Sequence, residues 1–137
     1  VPESLTPFVA LAGGGLVLAL AAIAAMAARP HAQGNALLAG ALSAGFAAFT
    51  AVTIAAEGAG PVIINHTSNL WGVQVWWDLL FSLLVATFLI LPRARAAGMN
   101  VPLWTLFIAA SASIGLLAMA ARLFWLEAAA AREPATA

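Results

Sequence analysis

The stretch Pro102-Leu-Trp-Thr-Leu-Phe-Ile-Ala-Ala-Ser111-Ala-Ser-Ile-Gly115-Leu-Leu-Ala-Met-Ala-Ala-Arg122-Leu-Phe-Trp-Leu126 decides how this chain is folded. It is apolar for longer than the roughly 20 residues that cross a bilayer, it opens on a proline, and it holds a single charge. It is predicted to be one transmembrane helix. Three further windows have the same character, Pro7 to Ala28, Ala36 to Ala56 and Val73 to Leu91. None alternates with a period of two, and Ala and Leu dominate, so the expected fold is all-α. The prediction is a polytopic four-helix membrane protein in a single domain over 1–137, with spans 7–28, 36–56, 73–91 and 102–126 arranged as two hairpins and an outer loop 57–72.

Composition supports a lipid environment. The chain has 137 residues, 64% of them hydrophobic and 7% charged, with a mean hydropathy of +1.04, whereas soluble domains carry about 25% charged residues. Five basic and five acidic residues give a formal net charge of zero, so net charge gives no electrostatic steering toward nucleic acid. There is no cysteine, and hence neither a disulfide nor a thiolate ligand for zinc or an iron–sulfur cluster. The first segment is read as a retained helix rather than a signal peptide, because it lacks a positive n-region and its apolar run is too long.

Prolines mark the expected boundaries: Pro7 and Pro102 at helix starts, and Pro30, Pro61 and Pro92 beyond helix ends. Arg29, after the first span, and Arg93 with Arg95, after the third, place those two loops on the cytoplasmic side by the positive-inside rule. Both termini are then expected outside, with Trp71, Trp76, Trp77 and Trp125 at the outer interface and Trp104 at the inner one. Arg122 and Arg132 oppose this assignment. The expected location is a bacterial cytoplasmic membrane.

Close helix packing in lipid relies on small residues. Ala36, Gly40, Ala44 and Ala48 form such a stripe on the second span, and Gly115 lies on the fourth. At 100° per residue, Ser43, Thr50, Thr53 and Glu57 share a face of the second helix; Trp71, Gln74, Asp78 and Ser82 share one on the third; Ser111, Gly115, Ala118 and Arg122 share one on the fourth. With four straight spans the Asp78 and Arg122 α-carbons differ by roughly 9 Å in height, and their side chains lean toward one another. An Asp78–Arg122 ion pair with Glu57 as a second acidic neighbour is therefore predicted at the outer side. His66, in the outer loop, is a candidate ligand for haem or a chlorophyll-type pigment, and His31 a weaker one. No metal-binding cluster and no catalytic constellation is present in the sequence. Bound lipid, pigment or carotenoid is expected only through a complex.

Trp77-Asp78-Leu79-Leu80, an apolar stretch, Arg93-Ala-Arg95-Ala-Ala-Gly98-Met99 and Pro102-Leu-Trp104 resemble a bacterial and cyanobacterial family of small, uncharacterised multi-span membrane proteins. The resemblance covers the C-terminal half. It implies a role for Asp78 and for the Arg93–Met99 turn, but none for Arg122, where the family has a proline, and it implies no activity. The family's acidic residue before the arginines corresponds to Pro92 here or is missing.

The functional expectation is a non-enzymatic accessory or assembly subunit that packs against other membrane subunits, or against itself, in a respiratory or photosynthetic complex. The alternative is a small transporter or ion-conducting oligomer with Glu57, Asp78 and Arg122 at its outer mouth.

Overall fold

A computed structural model describes residues 6–29 and 34–132. The elements are α1 (Thr6–Ala27), α2 (Ala36–Glu57), α3 (Gly60–Thr67), α4 (Leu70–Ala96), α5 (Val101–Ser111) and α6 (Ser113–Ala130). No strand occurs among the described residues. The chain divides into two compact units, 1–33 and 34–137. The first contains α1, apolar on every side; Pro30 and His31 of its link to α2 lie outside the described residues.

Four helices are long and apolar enough to cross a membrane: Pro7–Ala27, Ala36–Glu57, Leu70–Ala96 and Ser113–Ala130. Their number agrees with the sequence reading, but the fourth is composed differently. The expected span 102–126 is broken at Ala112, whose φ of 51° and ψ of −120° leave the helical region between α5 and α6.

Local chemistry explains the break. Ser111 Oγ donates to Phe107 O at 2.7 Å, a back-bond that bends helices. Gly115 then lets the first turn of α6 approach α5, since a Cβ there would lie 2.8 Å from Phe107 O and 2.9 Å from Ile108 Cα. Hydropathy averaged over a whole span registers none of this, because two serines and a glycine are outweighed by the apolar residues on either side.

The break reverses the chain. A straight helix from Val101 would carry Glu127 about 39 Å away, yet Glu127 is bonded to Arg93 at the end of α4, with Arg93 Nη2 2.7 Å from Glu127 Oε2. So α6 returns to the end at which α5 began. α2 runs antiparallel to it: Gly34 is tight against the Phe124 ring, Gly40 faces Ala121, and Ser43 Oγ donates to Ile114 O at 2.9 Å. The core joins α4, α5 and α6 through Ala94, Ile108 and Met119, with Leu83, Met99, Trp104 and Leu116 packed around them.

Asparagine starts three of these helices. The side chains of Asn35, Asn69 and Asn100 accept from the amides of Leu38, Gly72 and Leu103 at 2.9, 2.8 and 3.2 Å, satisfying donors that a helix start leaves free. At the other end of α4, Gly98 (φ 70°) and Met99 complete a Schellman stop, with Gly98 N donating to Arg95 O and Met99 N to Ala94 O, each at 3.0 Å. α4 therefore continues past Pro92, which was expected to end it. Only one further turn follows the proline, and the glycine, not the proline, stops the helix.

The expected outer loop also differs. Residues 60–67 form α3, with Pro61 in its first turn, and α4 starts at Leu70 rather than Val73. Thr67 Oγ1 donates to Ile63 O at 2.8 Å, and Ser68 Oγ donates to Ile64 O. These polar residues hold the end of α3 instead of dissolving it. Gly72 allows the contact between α3 and α4, because a Cβ there would collide with Asn65 O and lie 3.2 Å from His66 Cα.

Candidate functional site

The α2–α6 unit separates its charges by end. Glu57 closes α2 at the far end, and Asp78 lies in the first half of α4. Arg93, Arg95, Arg122, Glu127 and Arg132 lie at the opposite end or just inside it, because α4 and α6 finish together there.

The predicted Asp78–Arg122 pair is absent among the described residues, and Glu57 does not join either group. The prediction took 102–126 as a single span, which puts Arg122 at the end away from Arg93. The reversal at Ala112 brings it to the same end as Arg93, while Asp78 stands about 22 Å farther along α4 at 1.5 Å per residue. Asp78 is exposed and makes no hydrogen bond or ion pair among the described residues.

The pair that forms is Arg93–Glu127. It is bidentate, with Nε to Oε1 at 2.9 Å and Nη2 to Oε2 at 2.7 Å, the geometry that suits guanidinium to carboxylate. Arg93 also lies over the Phe124 ring, 5.5 Å from its centroid. In the sequence Arg93 reads only as an orientation marker, and Glu127 lies just beyond the expected span 102–126. The Ser111-Ala-Ser-Ile-Gly115 cluster was the signal for their meeting.

Arg122 stacks over Trp125, 4.6 Å from the ring centroid. Trp125 is thus at the same end as Trp104, on the first turn of α5, and not with Trp71, Trp76 and Trp77 as expected. Three tryptophans mark one end of the unit and two mark the other.

The small-residue stripe is used in part. Ala36 and Gly40 are partly covered by α6, Ala39 and Ser43 are buried, and Ala44 and Ala48 are exposed. α6 begins level with Ser43, so the later positions of the stripe lie beyond it. Gly115 is buried and packs against α5.

Apart from Ser43, the hydroxyls bonded among the described residues stay within their own helices. Thr53, Thr105 and Ser111 each donate to a carbonyl of their own helix, Phe49 O at 2.9 Å, Val101 O at 3.0 Å and Phe107 O at 2.7 Å. His66 Nδ1 is bonded to Val62 O at 2.5 Å, and its ring lies 5.4 Å from that of Trp76. Its local role is to join α3 to α4. Among the described residues no group of three or more His, Cys, Asp or Glu side chains gathers to hold a metal ion. A shallow hollow on α5 is lined by Leu103, Trp104, Leu106, Phe107 and Ala110, with no polar side chain among them.

No protein-family model, curated protein or solved structure matches the chain.

Proposed function

We propose that the chain is a non-enzymatic accessory or assembly subunit of a larger complex in a bacterial cytoplasmic membrane. The observation that carries this reading is Asp78, an exposed carboxylate on an apolar helix with no partner among the described residues. If Arg93 is held at headgroup level, the separation of about 22 Å leaves Asp78 inside a hydrocarbon core about 30 Å thick. A charge facing lipid there costs at least about 2.5–3.5 kcal/mol. A donor on a neighbouring chain removes that cost. Gln74, also exposed one turn away, extends the same polar face.

The basic residues support an orientation. With Arg93, Arg95, Arg122 and Arg132 at one end, the positive-inside rule places that end in the cytoplasm. The end of α6 then lies on the cytoplasmic side, contrary to the two-hairpin expectation. α5, about 16 Å long, is too short to cross, so α5 and α6 enter and leave from the same side.

Purification of the tagged chain from native membranes in mild detergent tests the subunit reading. A stoichiometric partner is expected with the wild type, and its recovery is expected to fall several-fold with Asp78→Ala, which leaves every contact within the unit intact. Migration alone at 13.9 kDa plus detergent removes the reading. The absorption spectrum of the same preparation tests for a pigment. The transporter reading required Glu57, Asp78 and Arg122 at one mouth, and it loses that geometric basis.

A further inference from the structure

Four guanidinium groups, those of Arg93, Arg95, Arg122 and Arg132, gather at one end of the α2–α6 unit, where Glu127 is the one carboxylate among the described residues. Glu127 is committed: both its oxygens are taken by Arg93, at 2.9 and 2.7 Å. Arg95, Arg122 and Arg132 are exposed and have no carboxylate partner among the described residues. Among the described residues, the positive charge not paired at this end therefore belongs to these three.

Arg122 is the most constrained of them. It precedes Glu127 on α6 by about 7.5 Å of helix, which sets it deeper in the bilayer than the ion pair. Its guanidinium is stacked on Trp125, whose exposure is 55%. Indole rings favour the boundary between headgroup and acyl chain, and stacking leaves the edge donors of the guanidinium free. At that depth the anionic oxygens available to an arginine are those of lipid phosphate, which it binds through paired N–H donors.

We propose that this end of the protein binds the headgroup phosphates of anionic phospholipids, with Arg122 on Trp125 as the anchor and Arg95 and Arg132 as further contacts. The proposal rests on the membrane placement of the helices and is independent of any partner subunit. The Arg93–Glu127 pair limits the site by withholding one cation from it.

The test titrates the detergent-purified full chain with phosphatidylglycerol or phosphatidylcholine and follows retained lipid by native mass spectrometry. Wild type is expected to retain phosphatidylglycerol preferentially. Arg122→Gln should weaken that retention about fivefold, the effect of one basic residue at an anionic surface. Glu127→Gln, which releases Arg93, should strengthen it. Unchanged circular dichroism in both variants confirms that the helices persist. Equal retention of the two lipids by the wild type, or undiminished phosphatidylglycerol retention by Arg122→Gln, overturns the proposal.

Discussion

Gly115 shows how much one missing side chain decides. Its sequence context reads as a small residue on a continuous helix face, and that reading explains why it is buried but not what it touches. Its neighbours are the backbone of the preceding helix, Phe107 O and Ile108 Cα at 2.8 and 2.9 Å from a would-be Cβ. Backbone cannot move aside as a side-chain tip can. Gly115→Ala is expected to destabilise the unit by about 1–3 kcal/mol, in the range of other overpacking substitutions, and to lower the thermal midpoint in detergent. An unchanged midpoint would mean that α6 is not seated against α5 as described. The asparagine caps were half legible. Gly34-Asn35 and Gly98-Met99-Asn100 stand as polar residues before two of the expected spans, and the work of starting α2 and α5 falls to the asparagine carbonyl oxygens.

At the scale of elements, α2 and α4 were readable because a long apolar run has one stable form in lipid, the helix. α3 was not, since Asn65, His66, Thr67 and Ser68 favour turns as readily as they bond back onto a helix. The break between α5 and α6 was the least legible of all. Hydropathy measures whether a segment prefers lipid and carries no information on whether it doubles back. Ala112 takes a positive φ that alanine disfavours, at a cost of order 1–3 kcal/mol. Ala112→Gly relieves that cost at the expense of a more flexible unfolded chain, so its midpoint is expected to equal or exceed that of the wild type. Ala112→Val is expected to fall below both, because a β-branched residue resists this conformation most. A valine variant as stable as the wild type would argue for an uninterrupted helix. The candidate site follows from the same element: the Asp78–Arg122 pair was a correct deduction from a straight fourth span, and the bend sends Arg122 elsewhere.

For the whole molecule, composition alone was enough to show a chain with four membrane-length apolar helices. How α4, α5 and α6 are arranged depends on Ala112. Arg122 and Arg132 opposed the positive-inside assignment while the C-terminus was expected outside, and with α6 folded back they join Arg93 and Arg95 at one end. A fluorescent protein fused after Ala137 is therefore expected to fold and fluoresce, as it does in the cytoplasm, while alkaline phosphatase fused there stays inactive. Active phosphatase would restore the two-hairpin topology.

The fold-back also bears on how the protein enters the membrane. Once α4 has been inserted, Arg122, Glu127 and Arg132 finish on the side where the end of α4 already stands. None of these three charges has to pass through the hydrocarbon, a passage that costs about 2.5–3.5 kcal/mol for each Arg or Asp at a helix centre. α5 and α6 can thus be delivered as a closed hairpin after the earlier helices are in place, with α2 and α4 providing the surface on which it settles.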